Sequence, residues 1–136
     1  MNGKLVKPKT DSEKITINVG FVDLGNMDLL VREGFYSNRS DFIRTAIRNQ
    51  IERHAEATLR SQVRTDLDLG IRYFSRNQLE DAEAQGNMLD INVLGLATIA
   101  SDVSAELARS TIRSVTVLGA FHASADVKAA LADRTG

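Results

Sequence analysis

Hydrophobic and polar residues alternate without interruption from residue 14 to residue 21. The apolar positions are Ile15, Ile17, Val19 and Phe21, and the positions between them are Lys14, Thr16, Asn18 and Gly20. A period of two predicts a β-strand with one buried face and one exposed face. A single strand is not stable alone, so we expect the strand to pair with the same strand of a second copy.

Two amphipathic helices are predicted after this strand. The first runs from about Leu24 to Glu33 with Asp23 as its N-cap, and Gly34 stands where a left-handed residue commonly ends a helix. The second begins after Asn38 and Asp41, which have the spacing of a capping box. Its apolar positions recur at helical spacing, and no helix breaker precedes Gly70, so the pattern extends towards Val63.

The order of these elements resembles the ribbon-helix-helix superfamily, the MetJ/Arc/CopG class of bacterial DNA-binding proteins. The resemblance covers roughly residues 13–56 and includes the segment from Gly34 to Arg44, Gly-Phe-Tyr-Ser-Asn-Arg-Ser-Asp-Phe-Ile-Arg. It implies an intertwined dimer whose two strands form an antiparallel ribbon in the DNA major groove.

The resemblance also assigns roles to individual residues. It implies base contacts from Lys14, Thr16 and Asn18, whose side chains suit the donors and acceptors of base edges. It implies phosphate contacts at the N-terminus of the second helix, which favours anions, by Ser37, Asn38, Arg39 and Ser40. The dimer core would comprise Ile15, Ile17, Val19, Phe21, Phe42, Ile43, Ala46 and Ile47.

The second half of the chain contains an internal repeat. Residues 91–108 align with residues 115–132 at an offset of 24, with identities that include Gly95/Gly119, Asp102/Asp126 and Leu107/Leu131. Each unit predicts a strand, near 89–94 or 113–118, and a helical turn, near 103–109 or 126–132. Asp102 and Asp126 would stand near the helix starts.

A third, degenerate unit is expected at residues 71–86, where Ser75 and Gln78 form a second capping box before a short helix that Gly86 ends. Repeats of this length with a strand and a helix are typical of solenoids and resemble leucine-rich repeats weakly. Solenoids need several units, so we expect this part to form oligomers beyond the dimer. The alternative is a self-contained small domain whose first unit is a helical cap.

The predicted fold class is therefore α+β, with three parts. Residues 1–12 form a flexible basic arm, 13–64 a ribbon-helix-helix domain for DNA binding and dimerisation, and 65–136 a β/α repeat domain. The arm, with Lys4, Lys7 and Lys9, either contacts phosphates or is a solvated tail.

Charge supports the same division. Residues 1–64 carry 11 Lys and Arg against 8 Asp and Glu, whereas residues 65–136 carry 6 against 10. A basic front half is the one suited to a polyanion. The chain has no cysteine, which excludes disulfides and thiolate chemistry.

Signatures of catalysis are missing from the sequence. The two histidines, His54 and His122, have no acid at metal-ligand spacing, and there is no phosphate-binding or dinucleotide-binding loop. We therefore expect no enzyme activity, no cofactor and no metal.

The favoured hypothesis is a prokaryotic, sequence-specific transcriptional repressor that is cytoplasmic and associated with the nucleoid. Its partners would be double-stranded DNA and further copies of itself through residues 65–136, with no membrane. The alternatives are an antitoxin whose acidic half binds a toxin, and a plasmid-partition or filament-forming DNA organiser.

Overall fold

The computed structural model describes residues 12–136, and the basic arm expected at residues 1–12 lies almost wholly outside them. The described chain is α+β, with six α-helices and one three-stranded parallel sheet. It divides into two compact units, one ending at Glu56 and one formed by Ala57–Gly136. The helices and strands, in chain order, are α1 Phe21–Arg32, α2 Arg39–Arg53, α3 Ala55–Thr65, β1 Asp68–Phe74, α4 Arg76–Ala84, β2 Leu89–Ile99, α5 Ala105–Thr111, β3 Ile112–His122 and α6 Ala125–Ala130, followed by a 3₁₀ turn at Ala132–Arg134.

The first correction concerns the segment before α1. Residues 12–20 are neither helix nor strand in the single chain, and Phe21 opens α1 instead of closing a strand. A strand acquires its hydrogen bonds from a neighbour, and none of the three described strands pairs with this segment. The helix starts at Gly20, whose carbonyl accepts from the Leu24 amide at 2.9 Å. The predicted cap at Asp23 was therefore wrong, because Asp23 lies inside the first turn.

Gly34 ends α1 as the sequence predicted. It has a φ of +88°, and the Phe35 amide donates to the Leu30 carbonyl at 3.0 Å while the Gly34 amide donates to Val31 at 3.1 Å. These two bonds are the Schellman arrangement, which needs a left-handed residue at this point. The chain is thereby turned directly into the start of α2.

The predicted cap of α2 at Asn38 is present, although the reciprocal bond from Asp41 goes to Ser37, one residue before the N-cap. The Asn38 side chain accepts from the Asp41 amide at 2.8 Å, and the Asp41 carboxylate accepts from the Ser37 amide at 2.9 Å. The helix is interrupted at His54 and continues as α3, so the single long helix predicted towards Val63 was wrong. Asp66, at a φ of +55°, ends α3 and lets the Leu67 amide reach the Gln62 carbonyl at 3.2 Å.

The C-terminal unit contains three β/α pairs, β1–α4, β2–α5 and β3–α6. The strands lie in the order β1-β2-β3 and all pairs are parallel. The degenerate first unit is therefore a complete one, whose strand starts at Asp68. The alternative of a purely helical cap was wrong, because β1 pairs with β2 along its whole length.

A row of glycines runs across the sheet. Gly70, Gly95 and Gly119 face each other in the strand register, and all three have positive φ. A Cβ on Gly95 would overlap the Gly70 carbonyl, and one on Gly119 would overlap the Gly95 carbonyl. The strands can pair in this register only because Gly95 and Gly119 lack side chains.

The 24-residue offset describes the strands but not the helices. The N-caps of α5 and α6 are Ser104 and Ser124, which are 20 residues apart, and each hydroxyl accepts an amide of the first turn. Val103 and Val127, which the repeat aligns, are both buried, yet one precedes its helix and the other lies inside it. Both repeats therefore bury the aligned valine, although α6 begins about one turn earlier in its repeat than α5 does.

The core lies in the C-terminal unit. It is formed by residues of the sheet and of the three following helices, with Leu79, Ile112, Val115, Val127 and Leu131 fully buried. Among the described residues of the N-terminal unit, Met27 alone among apolar residues is buried.

Candidate nucleic-acid interface

The segment that sequence analysis assigned to base contacts is fully accessible. Lys14, Thr16 and Asn18 are all exposed. Their apolar neighbours are exposed as well, with Ile15 at 76% and Ile17 at 70%. The single chain therefore presents both the polar and the apolar side chains of this segment to solvent.

The other residues assigned to the dimer core are also poorly covered. Phe21 is 92% exposed, Ile43 and Ile47 are exposed to 39% and 45%, and Val19 and Ala46 are exposed too. Phe42 is partly buried and meets the Tyr36 ring edge to face, with centroids 5.0 Å apart. The N-terminal unit thus exposes many apolar side chains and buries only Met27 among those described. Such a surface is typical of a protein that buries it against a partner.

The start of α2 carries the four residues assigned to phosphate. Ser37, Asn38, Arg39 and Ser40 are all exposed. The amides of Ser37 and Asp41 already donate to the side chains of Asp41 and Asn38, respectively. An anion at this helix end would therefore be met by the remaining amides of the first turn and by side chains.

Arg39 makes a contact that the sequence did not reveal. Its Nε and Nη2 atoms donate to the two carboxylate oxygens of Asp28, both at 2.8 Å. The hydrogen bonds from Arg39 lower the pKa of Asp28, and the same contact raises the pKa of Arg39. Asp28 lies in α1, eleven residues earlier, and only the turn at Gly34 brings it beside Arg39.

The C-terminal unit contains a second ion pair between an arginine and an aspartate. Arg113 donates to both carboxylate oxygens of Asp90, from Nε at 3.0 Å and from Nη2 at 2.5 Å, and Ser114 donates to the same carboxylate at 2.7 Å. These hydrogen bonds lower the pKa of Asp90 to about 2. The contact joins β2 to β3.

Two features are absent from residues 12–136. No helix in that part is long and apolar enough to cross a membrane. No group of three or more acidic or histidine side chains there is arranged to hold a metal ion.

Comparison with known families gives one result. The model of the Ribbon-Helix-Helix transcriptional regulator family matches residues 10–128, and the chain belongs to this family. No curated protein and no solved structure matches the chain significantly.

The extent of this match adds to the sequence analysis, which placed the resemblance in residues 13–56. The family model also spans β1 to most of α6. The match therefore covers most of the C-terminal unit as well as the N-terminal unit. The chain is a transcriptional regulator by family.

Proposed function

We propose that the protein is a sequence-specific DNA-binding transcriptional repressor that reads the major groove with an antiparallel two-stranded ribbon. The observation that carries the proposal is the accessible alternation from Lys14 to Phe21 in a chain of this family. Pairing with a second copy would bury Ile15, Ile17 and Val19 on one face of the ribbon. It would leave the polar residues on the other face.

Dimerisation is supported by the apolar surface of the N-terminal unit. Burial of apolar area stabilises a complex by about 25 cal/mol per Å², and the unit retains few buried apolar residues of its own. Residues 13–64 form the DNA-binding and dimerisation domain in this proposal, with Phe42, Ile43, Ala46 and Ile47 contributing to its core.

The polar face supplies the base contacts. Lys14 suits guanine, Asn18 suits adenine, and Thr16 serves either a polar edge or a thymine methyl group. Gly20 continues the same face without a side chain, so each strand would read a short stretch of bases.

The start of α2 supplies the phosphate contact. Ser37, Asn38, Arg39 and Ser40 surround a helix end that favours an anion. Arg39 is already bound to Asp28, so its guanidinium would be held in one orientation. Such contacts position the protein on DNA without reading sequence.

The C-terminal unit would mediate oligomerisation beyond the dimer and tether dimers on adjacent sites. Tethering raises apparent affinity through effective concentration. Its folded core of buried residues favours this role over the antitoxin alternative, in which the acidic half would order itself around a toxin. We also propose that the protein has no enzyme activity and that it is associated with the nucleoid.

The proposal is tested by binding-site selection with the full-length protein at fixed salt, because affinity for DNA depends on salt. Thr16→Ala and Asn18→Ala should each weaken binding to the selected site by about 1–3 kcal/mol and relax the preference at one base pair. Ser101→Ala, in an exposed turn of the other unit, is the matched control. An equal loss on every sequence would contradict the assigned base contacts.

The proposed phosphate contact of Arg39 is tested by substituting Arg39 and its ion-pair partner Asp28 separately. Arg39→Ala should weaken binding to all sequences alike, whereas Asp28→Asn leaves the guanidinium in place and should bind at least as well as the natural protein. If both variants lose binding equally, Arg39 acts by joining α1 to α2, and the phosphate assignment fails.

A further inference from the structure

The two edges of the parallel sheet differ. Residues at the end of the chain cover part of the β3 edge: Thr135 bridges Val115, and the Gly136 amide donates to the Val115 carbonyl at 2.9 Å. Arg109 holds these residues by donating to the Ala130 carbonyl at 2.7 Å and to both oxygens of Asp133. In the part of the chain that the structure describes, the outer edge of β1 has no comparable cover.

The side chains of β1 are correspondingly accessible. Leu69, Ile71 and Tyr73 are exposed to 71%, 61% and 60%. An exposed edge strand with apolar side chains is a template for pairing with another strand. Because the β3 edge is partly closed, repeated head-to-tail stacking of β3 on β1 is disfavoured, and a closed contact between two β1 strands is favoured.

The directions in which the β1 amides and carbonyls point limit how two copies can pair. The Phe74 carbonyl accepts from Ala100, which follows β2, at 2.9 Å, and the Gly70 carbonyl points at Gly95 of β2. Successive residues of a strand direct their polar groups to opposite sides. Leu69, Ile71 and Tyr73 therefore present their amides and carbonyls to the open edge.

The side chains then select one register. If two antiparallel β1 strands meet at Gly70, Asp68 of each copy lies opposite Arg72 of the other, and Leu69 lies opposite Ile71. Asp68 and Arg72 form an ion pair within one chain, so pairing of two copies would exchange their two intrachain contacts for two equivalent contacts between the copies. Opposite charges and apolar pairs across strands are both stabilising.

Gly70 suits the centre of this arrangement. It would form the narrow pair without mutual hydrogen bonds, where Cα atoms approach to about 4.5 Å. An added Cβ on Gly70 would meet no atom of its own chain within 4 Å, so the space beside it is open to the second copy.

We propose that β1 binds β1 of a second copy in antiparallel orientation, centred on Gly70, so that two three-stranded sheets join into one of six. This inference rests on the proposed oligomerisation of the C-terminal unit and specifies its surface and register. It is independent of the ribbon, since none of its residues lies before Asp68.

The test is a disulfide between two different full-length variants, in a chain that has no natural cysteine. Asp68→Cys and Arg72→Cys chains carrying different tags are co-expressed and oxidised. Opposed Cα atoms about 4.5 Å apart accept a disulfide, so the mixture should give a species of twice the chain mass that contains both tags. Each variant alone should not, because identical positions would lie about 13 Å apart along the strands.

The matched control combines Asp68→Cys with Arg113→Cys, which places the cysteine on β3 at an arginine whose side chain is more exposed than that of Arg72, at 63% against 45%. It should give no heterologous cross-link. Absence of the Asp68–Arg72 cross-link, or a cross-link of Asp68→Cys with itself, would each overturn the proposed pairing. DNA binding by the same variants, measured separately, distinguishes such a failure from failure of the repressor proposal.

A second measurement uses charge. Hydrogen exchange at the Ile71 amide should be slow in the natural protein, fast after Asp68→Arg or after Arg72→Asp, and slow again in the double variant, where opposite charges face each other once more. Fast exchange in the natural protein, or in the double variant, would contradict the register.

Discussion

The two units of this chain obtain their cores in different ways. In the C-terminal unit, three similar β/α pairs cover one another, and Leu79, Ile112 and Val115 are fully buried. In the N-terminal unit, α1 and α2 bury Met27 but leave Phe21 at 92% exposure. Both units contain helices that begin at a side-chain cap, α2 in the first and α4, α5 and α6 in the second. The difference shows that good local structure does not supply a core, and that apolar residues must also find a partner surface.

The largest expected effect comes from the C-terminal core. Leu79→Ala should lower the free energy of unfolding of that unit by about 2–5 kcal/mol, because a buried leucine leaves a cavity. Val63→Ala, at a position 74% exposed in α3, should change it by less than about 0.5 kcal/mol. Urea denaturation followed by circular dichroism measures both, and equal effects would mean that the sheet and helices do not form the main core.

Dilution should lower the stability of the N-terminal unit more than that of the C-terminal unit. If the N-terminal unit is completed by a second copy, each tenfold dilution should cost it about 1.4 kcal/mol of stability. Hydrogen exchange of α2 amides over a range of protein concentrations measures this. The amides of β2, in the interior of the sheet, serve as the internal reference. Concentration-independent exchange in α2 would argue against an obligate dimer.

Two glycines of the N-terminal unit should respond in opposite directions. Gly34 has a φ of +88°, so Gly34→Ala should destabilise by about 1–2 kcal/mol. Gly25 lies inside α1, and a Cβ there meets no atom within 4 Å, so Gly25→Ala should stabilise by up to about 1 kcal/mol. Thermal unfolding of the two variants checks the pair, and a stabilising Gly34→Ala would rule out the left-handed turn.

The smallest expected effect is on acid stability. Hydrogen bonds from Arg113 and Ser114 hold the pKa of Asp90 at about 2, below its ordinary value of 3.8. A lowered folded-state pKa stabilises the fold above the ordinary value, and this contribution is lost as pH falls towards 2. Asp90→Asn should therefore be less stable than the natural protein at neutral pH, with the difference shrinking between about pH 4 and pH 2. Urea midpoints over that range test this.

Asp28→Asn is the counterpart in the other unit. The pKa of the Asp28 carboxyl is also lowered, mainly by the hydrogen bond from Arg39. The loss of stability caused by Asp28→Asn should therefore also shrink as the pH falls. A difference that grows with falling pH in either variant would contradict the assigned ion pair.

Local signals in the sequence determined much of this protein. Gly34 ends α1, Asn38 and Asp41 cap α2, Ser75 caps α4, and the repeat at an offset of 24 marks β2 and β3. Each of these depends on neighbours within a few residues or on a repeated pattern, which a single sequence displays directly. The family resemblance in residues 13–56 followed from the same local features.

Tertiary structure decided the rest. The ion pair between Asp28 and Arg39, the row of Gly70, Gly95 and Gly119, and the cover of the β3 edge by Thr135 depend on which segments the fold brings together. The spacing of α5 and α6 also departs from the repeat, because burial of Val103 and Val127 is satisfied by either a loop or a helix. The segment from Lys14 to Gly20 has no regular structure in one chain, since a strand is completed only by the neighbour it pairs with.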